Sequence, residues 1–192
     1  TRKDSSELRT KPSKRKDSQV MSYNRSKNSL LTLSLLLASL NVYSLKAASP
    51  SLVGTPFPEL SGGSTESIAA QDLKGKIVMY DFWASWCPPC KASFPVMQSL
   101  VEEYGDQGFT VIAINEDEKP SKMTKFLKRQ KVSFPIHHDV NHTLIESLKV
   151  KTMPSAFLVD QDGMIHSVHE GFHEKTSGKA YRKAIESLLK KR

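Results

Sequence analysis

The sequence predicts an α/β domain, in which helices cover a β-sheet. Short apolar runs without polar alternation, typical of strands buried on both faces, take turns with longer segments of helical periodicity. A turn signal at 160–163, Asp-Gln-Asp-Gly, separates two more strand-like runs near the C-terminus. Residues 49–192 are enough for one domain with a core of its own. These patterns together indicate layers of helix and sheet.

Nine elements follow from these patterns in chain order. The predicted strands are Ile77–Phe82, Phe109–Ile114, Phe134–His137, Ala156–Val159 and Met164–Val168. The predicted helices are Pro88–Tyr104, Ser121–Gln130, Thr143–Leu148 and Ser177–Lys190. We expect Gly105 to end the first helix and Pro95 to kink it.

The net charge of +8 is concentrated in the N-terminal quarter of the chain. Residues 1–48 hold ten Lys or Arg and three acidic residues, which leaves eighteen basic and seventeen acidic residues for 49–192. The domain therefore lacks the basic excess that nucleic-acid binding requires, and we predict no nucleic-acid partner.

Residues 21–48 have the layout of a secretory signal peptide. Arg25 and Lys27 precede the apolar run Leu30–Leu40, and small residues follow it. The apolar segment is shorter than the roughly 20 residues that span a bilayer. A cleaved signal and a retained N-terminal membrane anchor both stay open, and both place the domain outside the cytoplasm, in or facing the periplasm. Residues 1–20 are polar and charged, so we expect them to be disordered and to precede a native start at Met21.

The two cysteines of the chain stand as Cys87-Pro88-Pro89-Cys90 at the predicted start of the first helix. Prolines suit that turn, because its N–H groups have no helical partner. The helix N-terminus favours the thiolate of Cys87, which is the species that attacks a disulfide. A zinc site would need further ligands at zinc-finger spacing, and so short a disulfide loop adds little stability. The pair therefore predicts thiol–disulfide exchange without a metal or another cofactor.

The residues around this pair resemble the active-site segment of the thioredoxin family, in particular its extracytoplasmic TlpA/ResA/DsbE-like branch. The resemblance covers about residues 52–192, and it rests on the segments Val53–Leu60, Asp81–Lys91, Pro95, Met153-Pro154 and Phe157–Met164. It implies a thioredoxin-like fold with a central mixed β-sheet flanked by helices. It also implies an inserted strand and helix between the CxxC helix and a cis-proline.

Three catalytic roles follow for residues at or near the motif. Cys87 is expected to be the attacking thiol and to be partly exposed, while the more buried Cys90 resolves the mixed disulfide. Asp81 lies six residues before Cys87 in the first predicted strand. A buried carboxyl group there would have a raised pKa and could accept the proton of Cys90. The alternative is a strand-end side chain that points into solvent.

A fourth catalytic candidate is Glu118, at a position where ResA-like proteins carry an acidic residue near the active site. It follows Asn115 in an acidic loop after the second predicted strand. Glu116 and Asp117 compete with it for that role, and an ordinary solvated loop is the alternative.

The resemblance also implies a substrate-binding surface. Pro154 is expected to be cis and to lie opposite the sulfurs, which leaves the backbone of Met153 free to pair with an extended substrate. Trp86 is expected at the surface and Trp83 in the core. The substrate-binding residues are therefore Trp86, Pro88, Pro89, Met153 and Pro154. The histidine pair at 137–138 is expected at a loop or strand edge.

The predicted function is an exported thiol–disulfide oxidoreductase that reduces protein disulfides, with apocytochrome c as one candidate substrate and a membrane electron donor. A general disulfide oxidant or isomerase, and a non-enzymatic binding scaffold, stay open as alternatives. A peroxiredoxin would need a Thr or Ser and Pro pocket before its cysteine, where this chain has residues 82–86, Phe-Trp-Ala-Ser-Trp. We expect a monomer, because no long apolar stripe is left unexplained.

Overall fold

The computed structural model describes residues 51–60 and 73–191. The predictions for residues 1–48 lie outside the described residues. Within the described ranges no helix has the length and hydropathy needed to cross a bilayer.

Strands and helices alternate along the described residues as the sequence patterns predict. The strands are β1 (Ile77–Trp83), β2 (Phe109–Asn115), β3 (Ile136–His138), β4 (Ser155–Val159) and β5 (Ile165–Glu170). The helices are α1 (Pro88–Tyr104), α2 (Pro120–Leu127), α3 (Thr143–Ser147) and α4 (Ser177–Leu189), with a short 3-10 helix at Gly105–Gln107.

The strands form one mixed sheet in the order β3-β2-β1-β4-β5. β1 runs parallel to β2, and β2 runs parallel to β3. β4 is antiparallel to both β1 and β5. The predicted fold class is therefore confirmed, including the additional strand β3 and helix α3 between α1 and the proline at 154.

Every residue of β1 is buried, because a separate apolar core covers each face of the sheet. On one face Met79 and Trp83 belong to the core formed with α1 and α4. On the other face Tyr80 and Phe82 belong to a core that includes Leu144 of α3. Side chains alternate along a strand, so position 81 points to the same face as positions 79 and 83, towards α1.

The first helix has the predicted bounds, and Gly105 is its C-cap residue, with a right-handed backbone that continues into the 3-10 helix. The left-handed residue that follows is Gly108, with φ 83°. Other element boundaries differ from the sequence prediction. β3 begins two residues later than predicted, after Pro135, whose carbonyl oxygen accepts from the Ala113 N–H at 3.0 Å. Proline has no N–H to give to the ladder, so it is suited to the residue before the strand.

Candidate active site

The two cysteines form a disulfide at the start of α1, with their Cα atoms 5.3 Å apart. Cys87 is the N-cap residue of α1, and its Sγ accepts from the Cys90 N–H at 3.3 Å. Pro88 and Pro89 occupy the first helical positions and are exposed. The helix start therefore directs an N–H group at the sulfur of Cys87, and this contact favours negative charge on that atom.

Cys87 is less accessible than the sequence predicts. Its residue surface is only 4% exposed, and Cys90 is fully buried. The expected partial exposure of Cys87 is wrong for this disulfide form, because Met153 covers the sulfur and brings its carbonyl oxygen to 3.7 Å from Cys87 Sγ. The expected order of burial, with Cys90 deeper, is confirmed.

The residues that the resemblance implies for substrate binding include Met153, whose carbonyl oxygen lies 3.7 Å from Cys87 Sγ. The bond between Met153 and Pro154 is cis, as the resemblance implies. Trp86 is 59% exposed beside the motif. Trp83 is fully buried, and its ring lies 4.7 Å from that of Phe94 on α1. Trp83 therefore anchors the active-site helix to the sheet, and Trp86 faces solvent.

Asp81 is a buried carboxyl group beneath the active-site helix. It is 1% exposed, and its Oδ2 has no hydrogen-bond partner among the described residues. Burial raises the pKa of Asp81 well above its usual value. Its neighbours on the same sheet face, Met79 and Trp83, belong to the core that contains Cys90. The alternative of a solvent-facing Asp81 is therefore wrong.

Asp117 is equally buried but fully hydrogen-bonded. Its carboxylate accepts from the Ser85 N–H at 3.1 Å, from Ser85 Oγ at 2.8 Å and from Asn115 Nδ2 at 3.0 Å. Ser85 belongs to the loop that carries the cysteines. Asp117 thus ties the end of β2 to the active-site loop, which is a positioning role.

Glu116 forms a pair with a histidine that sequence reasoning did not connect to the site. Its side chain is 3% exposed, and its Oε2 lies 2.6 Å from His142 Nδ1. Burial, only partly offset by the hydrogen bond from His142, raises the pKa of Glu116 to about 7. The same hydrogen bond raises the pKa of His142. These residues are 26 positions apart, and no local pattern in the sequence indicates that they meet.

Glu118 is exposed, and it lies on the wall of a cavity beside the motif. This cavity, called here the side cavity, has a volume of about 390 Å³. The residues that matter for its chemistry are Trp86, Met153, Glu116, Glu118, Lys122 and His142. The structure therefore brings all the acidic candidates of the loop to one place, with Glu116 and Asp117 buried and Glu118 at the surface.

The histidine pair lies on the edge strand β3 but is buried. His138 Nε2 donates to the backbone oxygen of Asp117 at 2.7 Å. Among residues 51–60 and 73–191, no group of three or more His, Cys, Asp or Glu could hold a metal ion. That the chemistry needs no cofactor beyond the cysteine pair stays a prediction.

A match to a known protein family identifies the family of this chain. Residues 53–168, which include β1, the cysteine pair and the cis-proline, match the sequence model of the AhpC/TSA family. The chain belongs to the AhpC/TSA family.

Members of this family that resemble the chain carry out the chemistry predicted from the cysteines. The chain is 35% identical over 128 residues to the thiol–disulfide oxidoreductase ResA of Halalkalibacterium halodurans, a match that covers 67% of this chain and 71% of that protein. It is 34% identical over 104 residues to ResA of Bacillus subtilis, covering 54% and 58% of the two chains. The chain is thus a thiol–disulfide oxidoreductase of the AhpC/TSA family.

Solved structures give the same result for the fold. A protein from Chlorobium tepidum, described as thiol:disulfide interchange protein DsbE, superposes with a TM-score of 0.64 at 32% identity, over 71% of this chain and 97% of its own. StoA from Bacillus subtilis superposes with a TM-score of 0.51 at 26% identity, over 58% and 83% of the two chains. The thioredoxin-like fold of the family is therefore confirmed for this member.

Proposed function

We propose that this AhpC/TSA-family chain is an extracytoplasmic reductant of protein disulfides, with Cys87 as the attacking thiol and Cys90 as the resolving thiol. The observation that carries the proposal is the cysteine pair at the start of α1, with Cys87 capping the helix and Cys90 fully buried.

The reaction begins with the reduced protein. The Cys87 thiolate attacks one sulfur of the substrate disulfide, forms a Cys87–substrate disulfide and releases the other substrate sulfur as a thiolate. Cys90 then loses its proton and attacks Cys87 Sγ. This second step forms the Cys87–Cys90 disulfide and releases the second substrate thiolate, so the substrate gains two electrons and the protein loses two.

Asp81 is the proton acceptor that we propose for Cys90. It is buried on the sheet face that packs against α1, and burial raises the pKa of Asp81 well above its usual value, which makes its carboxylate a stronger base. A carboxylate in that position takes the Cys90 proton in the second step and returns it to solvent after the product leaves.

The residues between the cysteines favour electron flow from the protein to its substrate. Strong oxidants need a stabilised Cys87 thiolate, and the side chains of Pro88 and Pro89 offer no hydrogen bond or charge to that thiolate. Among the residues that the structure describes, the contact that stabilises it is the Cys90 N–H at the helix start. This arrangement supports a reductant that needs an electron donor, which we propose is a membrane protein.

The substrate class that we propose is the cysteine pair of apocytochrome c, which must be reduced before haem attachment. Support comes from the likeness to the ResA and DsbE proteins, together with the predicted signal peptide or membrane anchor.

The test compares two disulfide substrates with the reduced protein. One is insulin, which reports broad reduction, and the other is an oxidised peptide with the CxxCH sequence of a haem-attachment site. We expect rapid reduction of the peptide and slow reduction of insulin. Equal rates would remove the cytochrome assignment and leave a general reductant.

The controls separate catalysis from background exchange. Cys87→Ser removes the attacking sulfur and should show only the uncatalysed rate with both substrates. If wild-type protein reduces neither substrate faster than Cys87→Ser, the reductant proposal is contradicted.

A further inference from the structure

The side cavity lies beside the active-site segment, because Trp86 and Met153 both line it, but the exchange of electrons between cysteines does not require it. Met153 lines the cavity, and its carbonyl oxygen lies 3.7 Å from Cys87 Sγ. Trp86, the exposed neighbour of Cys87, forms another wall. A substrate bonded to Cys87 would therefore place a residue next to its own cysteine at the mouth of this cavity.

The charge of the cavity is incompletely balanced. Glu116 is buried, His142 occupies its Oε2, and its Oε1 has no hydrogen-bond partner among the described residues. A buried carboxylate oxygen without a partner is costly, so a positive group brought near it is stabilised. Glu118 adds a second, exposed carboxylate to the same wall.

The one lysine on the wall does not provide that balance. Lys122 is exposed, and the two ion pairs found among residues 51–60 and 73–191 are Glu116–His142 and Glu103–Arg182. Neither wall carboxylate is therefore ion-paired to Lys122.

The remaining walls suit the stem of a long basic side chain. The exposed ring of Trp86 and the aliphatic side chain of Ile145 both line the cavity. Lysine and arginine bury their methylene groups against such surfaces, and their charged ends are attracted to the face of a tryptophan ring.

We propose that the side cavity is a substrate subsite for a Lys or Arg side chain adjacent to the substrate's reacting cysteine, and that Glu116 supplies the charge that attracts it. The proposal rests on the proposed reduction of protein disulfides and names the substrates it favours. Glu116 acts here on binding and specificity, and it takes no part in moving electrons.

His142 makes the subsite sensitive to pH. As the pH falls, the Glu116–His142 pair takes up a proton, and the cavity becomes less attractive to a cation. The pKa of Glu116, about 7, places this change near neutrality. The other charged groups near the pair, on its own loop and on the adjoining elements, are Asp117, Glu118, Lys122, Asp139 and Glu146.

The test uses two oxidised CxxCH peptides that differ only in the residue before the first cysteine, Lys in one and Gln in the other. Reduced protein is mixed with each peptide at about pH 8 and low salt, and the rate of oxidation of the protein is followed by tryptophan fluorescence. We expect the Lys peptide to react about fivefold faster, the upper range for a partly exposed ion pair. The ratio should fall towards one in high salt, which screens the attraction.

The decisive variant is Glu116→Gln, which keeps the shape of the side chain and removes its charge. The Lys-to-Gln rate ratio should fall to about one in this variant. The matched control is Glu174→Gln, an exposed residue before α4, and this variant should keep the wild-type ratio. A wild-type ratio of one, or a preference that survives Glu116→Gln, would overturn the proposal.

A second measurement separates this proposal from the proposed function. The same two peptides with serine in place of cysteine are titrated into the oxidised protein, and the resonances of His142 and Trp86 are followed by NMR. Tighter binding of the Lys peptide without any reduction of the disulfide peptides would retain the subsite and remove the reductant function. Equal binding of both peptides would remove the subsite.

His142→Asn tests the role of the histidine. The backbone of His142 is left-handed, with φ 55°, and asparagine tolerates that conformation. The variant removes the hydrogen-bond donor that lowers the pKa of Glu116, so the fall of the Lys-to-Gln ratio should move to higher pH. A fall centred at the same pH as in the wild-type protein would contradict the role given to His142.

Discussion

The ends of β1 and β2 lie side by side, with Trp83 opposite Asn115 in the parallel register, yet they have opposite chemistry. β1 lies in an apolar environment that contains the disulfide, and it carries one carboxyl group, Asp81, whose Oδ2 has no hydrogen-bond partner among the described residues. β2 leads into a polar network in which Asp117 accepts three hydrogen bonds. Burial is the same for both carboxyl groups, at 1% exposed.

The difference shows that hydrogen-bond partners, rather than burial alone, decide what a buried carboxyl group does. A carboxyl group that accepts several hydrogen bonds holds its donors in place. A carboxyl group without them resists ionisation and can exchange a proton with a neighbour. We therefore assign proton transfer to the β1 end and positioning and recognition to the β2 end.

The largest expected effect comes from removing one sulfur at the β1 end. Cys87→Ser should abolish the reduction of protein disulfides, because the one thiol that remains, Cys90, is fully buried. In Cys90→Ser, Cys87 should still attack the substrate disulfide. The covalent Cys87–substrate disulfide should then accumulate, since no second thiol resolves it. Mass spectrometry of the non-reduced protein after mixing with a substrate distinguishes the two variants. Covalent trapping by Cys87→Ser would reverse the assigned roles.

The next effect separates Asp81 from Asp117 by rate. Asp81→Asn removes the proposed proton acceptor and should lengthen the lifetime of the mixed disulfide by roughly 100-fold, the usual contribution of general base catalysis. Rapid acid quench and mass spectrometry measure that lifetime. Asp117→Asn should change it much less. An equal increase of the mixed-disulfide lifetime in both variants would contradict the assignment of proton transfer to Asp81.

Stability should move in opposite directions in the same two variants. Because the pKa of Asp81 is raised in the folded state, the unfolded chain ionises first, and the wild-type protein loses stability as the pH rises above the usual carboxyl range. Asp81→Asn should therefore be more stable than wild type at alkaline pH, by about 1–3 kcal/mol, with the gap closing as the pH falls. Asp117→Asn should lose about 1–3 kcal/mol, because it disturbs three hydrogen bonds. Urea unfolding of the oxidised proteins measures both.

A smaller effect is expected where the polar region continues into α3. The carboxylate of Asp139 accepts from the backbone N–H groups of Thr143, Leu144 and Ile145 at 2.9–3.1 Å. Asp139→Ala should cost about 1–2 kcal/mol of unfolding free energy, the usual loss for a helix cap, and Asp139→Asn should cost less. An unchanged urea midpoint in Asp139→Ala would show that α3 does not depend on this cap.

The smallest effect is a slope of stability with pH at the Glu116–His142 pair. Both pKa values are raised in the folded protein, so each group contributes stability at low pH that is lost as the pH rises. For Glu116 the loss lies between its usual value of 4.5 and about 7. Over this pH range the unfolding free energy of Glu116→Gln should change by about 1 kcal/mol less than that of wild type. The difference is this small because His142 is 40% exposed. A pH dependence of stability identical to that of wild type would contradict the coupling between Glu116 and His142.

The sequence predicts the β1 end much better than the β2 end, for a physical reason. The segment from β1 to α1 is continuous, so the strand, the helix start and the spacing of Cys87 and Cys90 are all local patterns. The burial of Asp81 also follows locally, from its place inside an apolar run. Resemblance to a known family then supplied the cis-proline, which composition alone would not predict.

The pairing of Glu116 with His142 lies beyond local patterns. It exists because β3 joins the sheet beside β2 and thereby brings the loop before α3 to the active site. The cover that Met153 places over Cys87 likewise depends on a contact between residues 66 positions apart. The hydrogen bonds from the start of α3 to Asp139 are equally hard to predict, because the N-cap residue is His142, three residues after Asp139.

The central claim, that the Cys87–Cys90 pair is a reductant, is tested most directly by its reduction potential. The pair is equilibrated in dithiothreitol or glutathione buffers, and the reduced fraction is read by tryptophan fluorescence. We predict a value near that of thioredoxin, about −270 mV, because Pro88 and Pro89 add nothing to thiolate stability. A value near that of DsbA, about −120 mV, would contradict the account and make the protein a disulfide donor.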